Sequence, residues 1–167
     1  AAKAANVHTM PRFARIVAES VPHHITQRGN NRQDVFFVDD ERAAYLRILM
    51  EESAKYDLHI DGYCLMTNHI HLIATPQKHD SLARALGRTH FRYTQYINRM
   101  HGRSGHLWQN RYYSCPLGRE HFWPALRYVE TNPVRAKLVR RAWDYPWSSA
   151  AEHIGETAAV KVIDSDR

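Results

Sequence analysis

The sequence predicts an α+β fold, with an antiparallel β-sheet and helices packed on one face of it. Two apolar segments, residues 58–66 and 69–75, are separated by two polar residues, which is the pattern of a β-hairpin. Residues 80–100 instead repeat apolar side chains at helical spacing. Further helix signals follow in succession and do not alternate with strands, which favours an antiparallel sheet. Such a sheet can leave its second face open to solvent and available for function.

The N-terminal half supplies one strand and one helix before the hairpin. Residues 21–28 (VPHHITQR) read as a strand that ends in a polar turn. Asp39 and Asp40 offer N-cap chemistry for a helix near 40–56. The hairpin closes at Pro76, because proline cannot donate a hydrogen bond within a sheet.

The C-terminal half is predicted to be mainly helical. After the long helix, residues 101–118 read as a connection rich in glycine and aromatic residues, and a helix follows near 120–131. Asn132-Pro133 marks a boundary, because the residue before a proline avoids helical geometry. Proline suits the first turn of the next helix, so a short basic helix is predicted over 133–140.

Length and composition indicate one folded domain over residues 10–154. The chain has 167 residues and is 44% hydrophobic, enough for a core. Residues 1–9 (AAKAANVHT) read as a cloning remnant before a native Met10-Pro11 start, and residues 155–167 as a patternless tail that we expect to be mobile. No apolar run approaches the roughly 20 residues that span a bilayer, and no signal peptide is recognisable, so no membrane partner is expected. Two cysteines make no disulfide framework, which favours a reduced, cytoplasmic location.

The charge pattern indicates a nucleic-acid partner. The net charge is +6, and arginine supplies 18 of the 23 basic residues; its planar guanidinium suits phosphate groups and guanine edges. One face of the long helix lines up Arg84, Arg88 and Arg92, which repel one another unless an anion meets them, although a solvated face is the alternative. Other candidates for DNA contact lie in the first polar turn and the aromatic connection: Arg28, Asn30, Asn31, Arg32, Trp108 and Arg111. The aromatic residues of that connection could equally form a local core.

The hairpin carries a candidate metal site in the segment His69-Ile70-His71. A strand alternates its side chains, so His69 and His71 point to one face with Cα atoms roughly 6.5–7 Å apart. Two imidazoles at this distance can hold one divalent ion. Because the chain has 12 histidines, a His-x-His pair could also arise by chance.

Tyr128 and Asn132 are four residues apart at the end of the predicted third helix, a spacing that puts both on one flank. If this flank faces the histidine strand, a phenol nucleophile meets three metal ligands, His69, His71 and Asn132. Tyr128 could instead be a packing residue and Asn132 a helix cap.

Five stretches carry a resemblance that covers nearly all of residues 11–153. They are 24–32 (HITQRGNNR), 63–71 (YCLMTNHIH), 107–111 (LWQNR), 128–136 (YVETNPVRA) and the set Trp143, Pro146, Trp147, Ser148 and Ser149. In these stretches the chain resembles the single-tyrosine, His-hydrophobe-His (HUH) transposases of the insertion-sequence type, and most closely the REP-associated tyrosine transposases. Thr67 departs from the pattern, since many relatives have proline there, and this change affects the turn and not the chemistry.

The resemblance implies a ferredoxin- or RRM-like HUH endonuclease fold that acts on single-stranded DNA, with REP-type hairpins as recognition elements. It places a divalent metal, Mg²⁺ or Mn²⁺, on His69 and His71, with Asn132 completing the site. It makes Tyr128 the nucleophile that forms a 5′-phosphotyrosine and releases a 3′-hydroxyl. A phenol has a pKa near 10 and needs help to ionise at neutral pH, which a divalent ion can give. The REP-associated branch also suggests a monomer over a homodimer.

Two other classes of function remain open at this point. One is a non-catalytic nucleic-acid-binding module on an RRM-like fold, which predicts the same basic charge and aromatic residues. The other is a structural zinc protein that uses Cys64 with the histidines, which requires the hairpin turn to keep Cys64 on their face. Only the transposase hypothesis needs His69, His71 and Tyr128 together.

Overall fold

The computed structural model describes residues 17–156 and 160–163. The predicted cloning remnant, residues 1–9, lies outside the described residues, as do 157–159 and 164–167 of the predicted tail. The strands are β1 (His23–Arg28), β2 (Leu58–Leu65), β3 (His69–Pro76) and β4 (Tyr113–Pro116). The helices are α1 (Asp39–Lys55), α2 (Ser81–Met100), α3 (Arg119–Glu130), α4 (Asn132–Arg135) and α5 (Ala150–His153), with single 3₁₀ turns at Asn30–Arg32 and Ala142–Asp144.

The four strands form one antiparallel sheet in the order β2-β3-β1-β4, so the predicted α+β class is confirmed. The predicted hairpin is the β2-β3 pair, in which Cys64 lies opposite His71. β1 lies on the other side of β3, with Thr26 opposite His71. β4 lies in the segment predicted as a connection. It has only four residues, too few to show alternation, and its pairing with β1 depends on distant parts of the chain.

The two faces of the sheet have different chemistry. Ile25, Ile70 and Leu72 point to one face and are completely buried, in one core with apolar residues of α1 and α2. The other face carries the side chains of alternate positions, among them His69 and His71. One face of the sheet therefore packs on the core with α1 and α2, and the other carries the histidines, as strand alternation predicts.

Helix α3 lies on the histidine face and not with α1 and α2, so the prediction that the helices pack on one face of the sheet is wrong for α3. Its Leu126 and Val129 are buried, and it contacts β2 and β3. Gly62 of β2 lies under this helix, and a Cβ atom at Gly62 would overlap the Leu126 Cδ1 atom. The glycine thus lets α3 approach the sheet closely.

The outer edge of β2 is closed by the segment before α5. The Leu65 amide donates to the Trp147 carbonyl at 2.8 Å, and the Ser149 amide donates to the Tyr63 carbonyl at 3.0 Å. Ser149 also donates its hydroxyl to Glu130 at the end of α3 (2.6 Å). This segment therefore fixes the C-terminal end of α3 relative to the sheet.

The short basic helix ends earlier than predicted. α4 stops at Arg135, and Lys137 has a φ of 59°, in the left-handed region that does not continue a helix. Across the described ranges, no helix combines the length and the apolar character needed to cross a membrane.

Candidate active site

The two histidines of β3 face the same side of the sheet, as the alternation predicts. The ring centroids of His69 and His71 are 5.1 Å apart, and the rings are nearly perpendicular, at 80°. His71 is buried and His69 is partly exposed. The two imidazoles thus lie side by side on one face, and solvent can reach them from the side of His69.

Asn68 holds His69 in one tautomer. The Asn68 side-chain nitrogen donates to the Arg32 carbonyl at 3.0 Å, so its Oδ1 atom faces His69. That oxygen can only accept, and it lies 2.6 Å from His69 Nδ1, which must therefore carry the proton. The lone pair of His69 is then on Nε2, where a metal ion can bind it.

A third imidazole, His24 of β1, lies against His71. Its Nε2 atom is 3.2 Å from His71 Nδ1, and the two rings are stacked with centroids 5.4 Å apart. If His71 Nδ1 donates this hydrogen bond, the His71 Nε2 lone pair is also available to a metal. His24 is in position to orient His71 in the way that Asn68 orients His69.

All three imidazoles are held in the neutral form that metal binding requires. The pKa of His71 is lowered to about 3, mainly by burial and in smaller part by the nearby His69, His24 and Arg28. Burial is also the main cause of the lowered pKa of His69, with a contribution from Arg28, and it lowers the pKa of His24. The pair His69 and His71 therefore fits a divalent ion that accepts neutral nitrogen ligands.

Tyr128 of α3 lies directly over this cluster. Its ring centroid is 5.7 Å from that of His71 and 6.0 Å from that of His24, both in edge-to-face arrangements. The ring is nevertheless 40% exposed, which is unusual for a packing residue. The Arg135 guanidinium lies over the ring, 4.8 Å from its centroid. The site thus combines an accessible phenol, neutral imidazoles and a positive charge.

Asn132 begins α4, directly beyond the end of α3. Its side-chain nitrogen donates to the Tyr128 carbonyl of the preceding helix at 3.0 Å, and the N-cap of α4 is Thr131, so Asn132 is not the N-cap that the sequence offered as its alternative role. The bond uses Nδ2 and leaves Oδ1 free to accept or to bind a metal. The role of Asn132 as a metal ligand therefore stays a prediction.

Cys64 is poorly suited to bind zinc. It lies opposite His71 and so shares its face, but burial raises the pKa of its thiol to about 12, and a thiol binds metal as the thiolate. In residues 17–156 and 160–163, no three His, Cys, Asp or Glu side chains gather closely enough to hold a metal ion. The zinc alternative has no ligand set in this part of the chain.

The polar turn after β1 lies beside the histidines. Arg28 is opposite His69 in the sheet register and is exposed. Asn31 and Arg32 are also exposed and have left-handed backbone conformations, with φ of 51° and 59°. Asn30 is partly exposed, and its backbone amide donates to the Leu107 carbonyl at 2.8 Å. These four candidate DNA contacts therefore border the site.

The arginines of α2 mostly have protein partners. Arg84 pairs with Asp80 at 3.2 Å, and Arg92 pairs with Glu51 and Glu52 of α1 at 2.8 and 2.7 Å. Arg88 lies over the Phe91 ring, 5.6 Å from its centroid. Within the described residues, none of the three has a contact with the histidines. The structure does not bring this row of arginines to the site.

The two DNA-contact candidates in the aromatic connection, Trp108 and Arg111, also lie away from the histidines of β3. Trp108 is only 8% exposed and packs against Tyr45, His90 and Tyr93, so its ring belongs to the core, which was the alternative interpretation. Arg111 is exposed and lies in a separate groove with Trp108 and Phe91.

Sequence reasoning missed three residues of the site: His24, Asn68 and Arg135. His24 and Arg135 occur within matched stretches, but only the pairing of β1 with β3 brings His24 to His71, and only the turn from α3 into α4 brings Arg135 over Tyr128. Asn68 directly precedes His69, and its amide was a usable signal, because metal-bound histidines usually donate their second nitrogen to an oxygen.

Fold and site together define a class: proteins with a His-hydrophobe-His pair on an antiparallel sheet and a tyrosine from a helix beside it. The chain belongs to the IS200-like transposase family, whose family model matches residues 18–132. The resemblance to HUH transposases is thereby confirmed. No curated protein matches the sequence significantly.

Two solved structures share this fold. One is a REP-associated tyrosine transposase bound to a REP hairpin, with a TM-score of 0.73, 18% identity, and coverage of 94% of this chain and 96% of the other. The second is a candidate transposase from Deinococcus radiodurans R1, with a TM-score of 0.50, 20% identity, and coverage of 72% and 97%. At these identities, the likeness establishes the fold alone.

Proposed function

We propose that the protein is a metal-dependent endonuclease and strand transferase for single-stranded DNA, and that it recognises REP-type hairpins. The observation that carries this proposal is the position of Tyr128, accessible to solvent and edge-on to His71 and His24. Family membership supports a transposase-type reaction on DNA. Hairpin recognition is inferred from the solved relative that is bound to a REP hairpin. We place the activity in the cytoplasm.

Tyr128 is the proposed nucleophile. Its phenolic oxygen attacks a DNA phosphorus, the bond from phosphorus to the 3′-oxygen breaks, and the strand is left with a 3′-hydroxyl and a 5′-phosphotyrosine. The phenol proton leaves to solvent, and the leaving oxygen takes up a proton. Arg135 and Arg28 supply positive charge for the phosphate on either side of the histidines.

His69 and His71 are the proposed metal ligands, with Asn132 Oδ1 as the third. A bound Mg²⁺ or Mn²⁺ supplies polarisation of the phosphate oxygens and stabilisation of the leaving 3′-oxygen. Asn68 and His24 keep the two ligand nitrogens unprotonated and correctly aimed. Histidines and tyrosine come from the same chain, which supports a monomer as the active form.

The test is covalent capture of labelled hairpin DNA that carries a single-stranded flank. With Mn²⁺ or Mg²⁺, we expect a protein–DNA adduct that Tyr128→Phe abolishes while DNA binding persists. Tyr113→Phe is a matched control, because Tyr113 is a 63% exposed tyrosine on β4 with no contact to the histidines among the described residues. His69→Ala and His71→Ala are expected to abolish adduct formation and metal dependence. An adduct that survives Tyr128→Phe would leave the non-catalytic binding module or another nucleophile as the better account.

A further inference from the structure

An unburied tryptophan lies on the same helix as Tyr128. Trp123 is 71% exposed, more than any other large hydrophobic side chain in the described ranges. Its only aromatic contact there is an edge-on one with Phe122, at a centroid distance of 5.1 Å. A single exposed aromatic residue is common on protein surfaces, so the case for a partner depends on what surrounds the indole.

A shallow groove joins Trp123 to the proposed nucleophile. It has a volume of about 470 Å³ and is lined by Trp123, Pro124, Arg127, Tyr128 and Thr131. Trp123 and Tyr128 are five positions apart on α3, about 7.5 Å along the axis and about 140° around it, so the groove runs obliquely across the helix between them. A strand held at Tyr128 can therefore reach the indole without leaving the groove.

The charges along the groove suit a phosphate backbone. Arg127 lies between Trp123 and Tyr128 and has no carboxylate partner within the part of the chain that is described. Arg135 covers the far side of the Tyr128 ring. By contrast, Glu130, the carboxylate that follows on α3, is already bonded to Ser149 and His153. The groove therefore presents cations that are free to meet an anion.

We propose that Trp123 and Arg127 form a binding site for the single-stranded DNA next to the scissile phosphate. An unpaired base stacks on the Trp123 indole, and Arg127 contacts the phosphate between that base and the cut. This assignment rests on the proposed function and adds to it the site that positions the strand. An aromatic face can stack on a base only when the base is unpaired, so the site selects single-stranded flanks over duplex.

A fluorescence titration tests binding independently of cleavage. Trp108 and Trp147 are each 8% exposed, so Trp123 and Trp143 dominate the emission that a ligand can quench. With oligothymidine in metal-free buffer, we expect quenching that Trp123→Phe largely removes and Trp143→Phe retains. Trp123→Ala is expected to weaken binding by about tenfold. Quenching that is unchanged in Trp123→Phe would overturn the proposal.

Abasic substrates then test whether the stacked base lies next to the cut. Each nucleotide within three of the cleavage position is replaced in turn by an abasic one, and adduct formation is measured. At one position we expect the abasic substitution to lower adduct formation by wild type about tenfold. The same substitution should not lower adduct formation by Trp123→Ala any further, because the stacking partner is already gone. Phe91→Ala is the matched control, since Phe91 is a 53% exposed aromatic beside an arginine on α2.

The two proposals fail in different ways. Suppose that Trp123→Ala lowers adduct formation, relative to wild type, by the same factor on every abasic substrate as on the intact one. The base-stacking site is then wrong, and the tyrosine endonuclease stands. If wild type forms no adduct with any DNA, the endonuclease is wrong, and the positioning site falls with it even where Trp123 emission is quenched.

Discussion

Asn68→Ala is expected to weaken metal binding although residue 68 is not a ligand. The substitution removes the acceptor 2.6 Å from His69 Nδ1 and the donor 3.0 Å from the Arg32 carbonyl. His69 can then adopt either tautomer, and its ring loses the contact that fixes its orientation. Loss of such a contact beside a metal-bound histidine typically costs 10- to 100-fold in affinity, or about 1.4 to 2.8 kcal/mol.

The assay is a calorimetric titration of the protein with Mn²⁺ in the absence of DNA. Asn68→Asp is the informative companion, because a carboxylate keeps the acceptor for His69 Nδ1 and should retain most of the affinity. Asn98→Ala is the matched control, since Asn98 makes one exposed hydrogen bond, to the Gly105 carbonyl at 3.1 Å, on α2. Equal Mn²⁺ affinity for Asn68→Ala and wild type would refute the reasoning that Asn68 selects the tautomer of His69.

Three further predictions concern stability. Gly29→Ala is expected to destabilise the protein by roughly 1–3 kcal/mol in urea denaturation, because its Cβ would overlap a backbone carbonyl of the same turn, which cannot move aside as a side-chain end can; an unchanged midpoint would contradict this. The pKa of His153 is raised mainly by its hydrogen bond to the last carboxylate of α3, so its contribution is complete below pH 6.5 and is lost as pH rises through the higher folded value. The stability gap between wild type and His153→Gln should therefore shrink from pH 5.5 to pH 9, and a gap that grows would reverse the assignment. Arg92→Ala should destabilise the protein by about 1–3 kcal/mol, because it leaves the buried carboxylate of Glu52 without its cation. Arg88→Ala should be nearly neutral in the same denaturation experiment. Equal losses of stability in the two variants would mean that the change in helix propensity, and not the ion pair, is the cause.

Periodicity alone predicted most of the fold. The apolar stripe of residues 80–100 predicted α2, which runs over Ser81–Met100, and the alternation of residues 69–75 predicted β3. Such patterns are local, because all the residues that form each pattern belong to a single helix or strand. β4 was missed because four residues hold too little pattern and its partner, β1, is about 90 residues away in the chain.

The site was predictable to the extent that it is local. Alternation along β3 is enough to bring His69 and His71 to one face. That Tyr128 meets them depends on α3 crossing the face opposite to α1 and α2, which its own sequence does not specify. The same limit explains Arg92, whose spacing indicated a phosphate-binding row. Its partners, Glu51 and Glu52, come from α1, and helix spacing says nothing about a neighbouring helix.

The anchoring of α3 has a consequence for the order in which the active site assembles. Leu126 fits over Gly62, 64 positions earlier in the sequence, and Glu130 bonds to Ser149, which is itself paired with the edge of β2. These contacts close long loops of chain. Long-range contacts form late, because the chain loses the conformational entropy of the loop before the contact itself stabilises it. We expect the β2-β3 hairpin and its two histidines to form early, and Tyr128 to reach them only after the sheet edge and the C-terminal segment are in place. We therefore expect the proposed nucleophile to meet the histidines only late in folding, so that a partly folded chain carries the imidazoles without Tyr128 beside them.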